Sequence, residues 1–157
     1  MKVIWAPWRM KYILSKKEQG CIFCPGEDRT GDAERLILTV GERSLVMMNR
    51  FPYNNGHLLV APLRHVSGLD LLDEQELLDL QLMVRKSIEV LKKTMRPEGF
   101  NVGLNLGRVA GAGVEEHLHF HVVPRWNGDT NFMTILDDVR VIPEHLQRTY
   151  EKLRSGF

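Results

Sequence analysis

The chain has no large excess of charge of either sign: its 157 residues balance to +1 at pH 7. A near-neutral surface offers no strong field for non-specific nucleic-acid binding, so no nucleic-acid partner is expected. Long apolar runs are also missing. None reaches the roughly 18–20 residues that a membrane-spanning helix needs, so no membrane association is expected. Residues 1–8 lack the basic, apolar, small-residue succession of a secretory leader, and the expected location is cytoplasmic. Cysteine is scarce, with Cys21 and Cys24 alone in the chain. In a reducing compartment that closely spaced pair reads as a metal half-site or a redox pair rather than a structural disulfide. Internal repeats, low-complexity tracts and interdomain linkers are absent too. The chain therefore reads as a single domain over residues 1–157, of ordinary globular composition.

What stands out instead is histidine. Three of the six histidines fall within five residues, as His117, His119 and His121. They alternate with Leu118, Phe120 and Val122. A period of two is the pattern of a strand, so the apolar side chains enter the core and the imidazoles line the opposite face. A solvated strand face is more readily built from Lys, Thr or Glu. A row of imidazoles suits metal binding, proton transfer or nucleophilic attack on phosphorus.

The rest of the chain frames this stretch. Residues 1–20 form an N-terminal arm in which Trp5, Pro7 and Trp8 suggest an extended segment packed on the domain or on a second subunit. Residues 25–34 read as a surface loop. Apolar runs at 36–40 and 44–49, separated by Gly41-Glu42-Arg43, predict a hairpin, and 57–61 a third strand. Residues 70–94 predict a long helix, with Asp73 as N-cap, Glu76 completing a capping box, and Leu77, Leu80, Val84, Ile88 and Leu91 on one face. Pro97-Glu98-Gly99 ends it, and residues 100–106 alternate as a strand. A glycine-rich loop, 107–113, then leads into the histidine stretch. Glycines let backbone N–H groups approach an anion closely, although a small-residue hairpin would look the same. The tail, 127–157, carries a short helix near 143–153. The expected fold class is α+β: about five antiparallel strands, one long helix and one short helix.

His117-Leu118-His119-Phe120-His121-Val122-Val123 resembles, at every position, the motif of the histidine-triad (HIT) superfamily. Asn49 through Pro62 is similar to that family's nucleoside-pocket segment. Trp5 to Arg9, Cys21 to Cys24, Gly99 to Gly107 and Pro124 to Phe132 resemble the branch of bacterial diadenosine tetraphosphate phosphorylases, also called ATP adenylyltransferases. The resemblance implies a HIT-like fold and cleavage of dinucleoside polyphosphates at the α-phosphate through a nucleotidyl-histidine intermediate. His119 is the implied nucleophile, His121 a donor to the phosphate or leaving oxygen, and the His117 carbonyl the group that sets the His119 tautomer. Asn49 is implied at the ribose, Phe51 in the nucleoside pocket, and His57 and Asn105 on the phosphate or leaving-group side. Gly111, Ala112 and Gly113 are implied at the phosphates, and Trp126 on the far side of the pocket. Many family members carry Gln or Ser where this chain has Gly113, so backbone, water or Arg108 must supply that contact here.

The same resemblance implies a structural zinc held by Cys21, Cys24, His65 and His117, and no organic cofactor. Otherwise the two cysteines are half-buried thiols and His65 caps the following helix. The implied partners are a small-molecule nucleotide, phosphate and a second copy of the chain, as a homodimer or higher homo-oligomer. The branch favours phosphorolysis to ATP and ADP. Hydrolysis of dinucleoside polyphosphates or phosphoramidates, or a slow nucleotide-binding regulatory role, is the competing expectation.

Overall fold

The computed structural model describes residues 20–129 and 142–157. The Trp5/Trp8 arm and the middle of the tail, with Phe132, lie outside the described residues. Five strands form one antiparallel sheet: β1 (Ile37–Val40), β2 (Ser44–Met48), β3 (Leu58–Pro62), β4 (Gly99–Leu104) and β5 (Phe120–Arg125), in the order β1-β2-β3-β5-β4. Helix α2 (Glu74–Met95) carries the chain from β3 across the sheet to β4 at the far edge. The β4–β5 pair then returns, and β5 slots between β3 and β4.

The expected elements are present with shifted ends. Helix α2 begins after Asp73, whose carboxylate accepts the Glu76 N–H at 2.8 Å while the Glu76 carboxylate accepts the Asp73 N–H at 2.9 Å. Both halves of the capping box thus satisfy donors that the first turn leaves open. Residues 69–71 form a separate 3-10 turn rather than the start of the helix. The loop expected at 25–34 contains one helical turn, α1 (Asp32–Arg35), which stops where Leu36 takes a left-handed φ of 62°. Helix α3 (Leu146–Arg154) starts later than the sequence suggests.

Alternation along the strands separates two cores. Val46, Met48, Leu58, Val60, Leu118 and Val122 face α2 and α3 and pack with Leu80, Val84, Leu91 and Tyr150. On the other face, Leu45, Met47, Leu59 and Ala61 pack with Phe23 from the segment preceding α1. The histidines share this second face.

The histidine stretch is only partly strand. Pairing of β3 with β5 runs Leu58↔Val122, Leu59↔His121, Val60↔Phe120 and then stops. The next turn of the ladder would set Leu118 against Pro62, which has no N–H to donate. Leu118 instead donates its N–H to the Val66 carbonyl at 2.6 Å. His121 therefore lies inside the ladder, flanked by Leu59 and Gly103, while His117 and His119 precede it outside the strand.

Candidate active site

The imidazole row is buried rather than displayed. His117 and His57 are 0% exposed and His119 is 6% exposed. Their side chains are ordered by a succession of hydrogen bonds whose directions can be worked out, because backbone groups at the ends have fixed roles. The His117 carbonyl can only accept, so His119 Nδ1 carries the proton that it donates at 2.9 Å. His119 Nε2 is left with a lone pair. At the other end, the Tyr53 N–H can only donate, and it reaches His57 Nδ1 at 3.0 Å. His57 therefore carries its proton on Nε2 and donates it to His121 Nδ1 at 2.9 Å. His121 must then hold its own proton on Nε2, and that atom is buried with no hydrogen-bond partner among the described residues. Two neighbouring imidazoles, with centroids 4.9 Å apart, thus present opposite chemistry: a lone pair on His119 and an N–H on His121.

Burial also keeps these rings neutral. It pushes the His119 imidazole below its ordinary value, against the opposing effect of its bond to His117. His121 is pushed down to about 4, by burial first and the neighbouring His119 second. A neutral imidazole is the form that can attack an electrophile.

His57 is placed differently from the sequence expectation. It is fully buried and reaches the site through its bond to His121. Asn49 buttresses the same point: its amide oxygen accepts the Phe51 N–H at 2.9 Å and its nitrogen lies 3.3 Å from His57 Nδ1. Phe51 is half exposed on the same turn. Tyr53, which the sequence offered only as a turn residue, stacks on His121 at 5.8 Å and 23°. The glycine-rich loop contains a 3-10 turn, Arg108–Ala110, between Gly107 and Gly111, whose φ values of 80° and 88° exclude most other residues. Asn105 braces the loop by donating to the Gly111 carbonyl at 3.4 Å. Ala112 and Gly113 complete the loop just ahead of the triad, and among the described residues none beyond the chain neighbours of Gly113 comes within 4 Å of where a side chain there would begin. Trp126 is not gathered to this site. It follows β5 at the end opposite His119, where its N–H donates to the Asp129 carboxylate at 3.0 Å.

A second cluster adjoins the first. Cys21, Cys24, His65 and His117 bring their ligand atoms within 4.8 Å of one another, a set that could hold a metal ion. Cys21 Sγ and His65 Nδ1 each lie 3.2 Å from His117 Nδ1, and Cys24 Sγ lies 3.4 Å from His65 Nδ1. Tetrahedral zinc with ordinary bond lengths spaces its N and S ligands about 3.4–3.8 Å apart. The remaining His117 nitrogen donates to the Pro62 carbonyl at 2.8 Å, so Nδ1 faces the cluster as a lone pair. That is the outer support a metal-bound histidine requires. His65 is committed to this cluster, and the cap of the long helix is Asp73. Between the two cysteines, Phe23 is fully buried and stacks on His119 at 4.6 Å and 26°. In the sequence it was only the spacer of a Cys-x2-Cys pair.

Comparison with known proteins places the chain among relatives with related names and folds. The chain is 43% identical to the AP-4-A phosphorylase of Mycobacterium tuberculosis (strain ATCC 25618 / H37Rv), across 98% of this chain and 83% of that one. It is 30% identical to an adenosine 5'-monophosphoramidase of Schizosaccharomyces pombe, across 86% and 96% of the two chains. Among solved structures, a hypothetical histidine triad nucleotide-binding protein from Sulfolobus tokodaii superposes with a TM-score of 0.65 at 26% identity, covering 87% of this chain and 88% of that one. Residues 31–128 match the HIT domain family, and the chain belongs to it.

Proposed function

We propose that this protein cleaves diadenosine tetraphosphate at an α-phosphorus and transfers the adenylyl group to inorganic phosphate. The observation that carries the reading is the opposed pair of tautomers, a lone pair on His119 Nε2 beside an N–H on His121 Nε2. His119 Nε2 forms a bond to phosphorus as the phosphoanhydride P–O bond breaks, and ATP departs. His121 donates its Nε2 hydrogen bond to the oxygen on which charge gathers. A phosphate oxygen then attacks the adenylyl group, the P–N bond breaks, and ADP forms. The 43% identity to the mycobacterial AP-4-A phosphorylase supports phosphate as the acceptor.

In this reading Asn105, Gly111, Ala112 and Gly113 meet the phosphates, and Asn49 and Phe51 lie toward the nucleoside. Cys21, Cys24, His65 and His117 hold zinc, the ion that suits two thiolates and two imidazoles, and it supplies structural tethering of the N-terminal segment to the sheet. The chain works as a homodimer, with Trp126 serving the pocket across subunits. The open edge of β4, exposed at Asn101, Val102 and Gly103, supports joining of two sheets.

The test is incubation with diadenosine tetraphosphate with and without inorganic phosphate, followed by product identification. ATP and ADP formed only when phosphate is present is the expected result. AMP formed at the same rate in its absence would overturn phosphorolysis in favour of hydrolysis.

A further inference from the structure

We infer that Phe23 is a positioning residue for the nucleophile: its face sets the plane in which His119 Nε2 attacks. The proposal rests on the reading of His119 as nucleophile. It begins from a geometric gap. The bond from His119 Nδ1 to the His117 carbonyl fixes one atom of the ring and leaves the ring free to rock about that axis. The attacking lone pair lies in the ring plane, so rocking sweeps it off the line of attack on phosphorus. Two ring contacts close the gap. Phe23 lies nearly parallel to His119 at 4.6 Å and 26°, and His121 meets it edge-on at 4.9 Å and 64°. Of these, only the parallel face restrains the plane directly.

Phe23 is well placed to serve as that reference surface. It is 0% exposed and packs with Ile37, Leu45, Met47, Leu59 and Ala61. Every other described member of this cluster is non-aromatic, so burial alone does not call for a ring at the one position that touches the imidazoles. The turn that carries it is pinned on both sides. The Cys24 N–H donates to the Cys21 carbonyl at 3.2 Å, and Arg35 Nη2 lies 2.9 Å from the carbonyls of both Ile22 and Cys24. A metal held by the flanking cysteines would tighten the same turn. The Cys-x2-Cys segment would thus join the cluster to the nucleophile through a phenyl ring as well as through the His117 backbone.

The experiment measures the single-turnover rate of adenylyl-enzyme formation, with steady-state kcat and KM, for Phe23→Leu and Phe23→Met. Both replacements fill the apolar site without a flat face. Ile37→Val, in the same cluster but away from His119, serves as the packing control. A fall in the adenylylation rate at unchanged KM and unchanged metal content is the readout that a packing role would not give. The expected result is a roughly 10- to 100-fold loss of adenylylation rate for both Phe23 variants. KM and bound metal should stay at wild-type values. The Ile37→Val control should keep the full rate. Wild-type rates in both Phe23 variants would overturn the proposal, as would a rate loss that tracks loss of metal or recurs in Ile37→Val. Failure of the underlying reading has its own sign, because His119→Ala would then still turn over.

Discussion

Acidification should destabilise this protein through His121, and by an amount the structure sets. The fold holds that imidazole at about 4, against an ordinary histidine value of 6.5. Between those values the unfolded chain binds the proton and the native state refuses it. Stability therefore falls as pH is lowered through this window. For this one group the loss relative to pH 8 is about 2 kcal/mol at pH 5 and about 3 kcal/mol at pH 4. Burial is the main cause and His119 adds to it. The hydrogen-bond directions reinforce both. A second proton must enter at His121 Nδ1, which already receives the His57 N–H, and His57 cannot reverse because Tyr53 donates to its other nitrogen. The assay is urea unfolding at pH 8, 5 and 4.5 for the wild type and for His121→Gln. Acid sensitivity of the metal cluster is common to both proteins, so the difference between their stability curves isolates His121. Parallel curves across this range would refute the reasoning.

Removing the ring behind His121 should be felt in the chemistry. His57→Asn should lower kcat by about 10²-fold, since His121 loses the donor that fixes its tautomer; an unchanged kcat would reduce His57 to packing. Cys24→Ser, or chelation of the wild type, should lower the unfolding midpoint by about 10 °C, if the ion is held at a thousand times its dissociation constant. Differential scanning calorimetry with metal analysis checks this. Asp73→Ala should cost about 1 kcal/mol by removing the cap of α2, with kcat unchanged, as denaturant unfolding and steady-state assays would reveal.

Much of this arrangement was legible in the sequence because it rests on local pattern. The period of two at 117–123 assigned Leu118 and Val122 to one core and the imidazoles to the other face, as observed. The Asp73 and Glu76 spacing marked the start of the long helix, because a capping box depends only on residues three apart. Cys21, Cys24, His65 and His117 could be grouped from residue type and resemblance, and the structure brings them together. What escaped the sequence depends on contacts between distant segments. The end of the histidine strand is set by Pro62, which the sequence gives no sign of lying opposite Leu118. The burial of His57 behind His121 requires the β3–β5 register. The rings of Phe23 and Tyr53 gain a role only when residues about 95 and 70 positions away arrive beside them. Trp126 lies in the right stretch of sequence, but the length of β5 separates it from His119.

The proline that ends the pairing of β3 has a further consequence for His119, the proposed nucleophile. His121 is held in a ladder by neighbours on both sides, whereas His119 sits just beyond its last rung at Phe120, in chain secured by the Leu118–Val66 bond and by the bond of the His117 ring to the Pro62 carbonyl. Reacting atoms start about 3–3.5 Å apart and must close to a covalent bond, which demands travel of more than about an ångström. A histidine within the sheet could make that stroke only by dragging its neighbours along. In the proposed reaction, one placed beyond the last rung can advance on phosphorus and withdraw beside a donor that the sheet holds still.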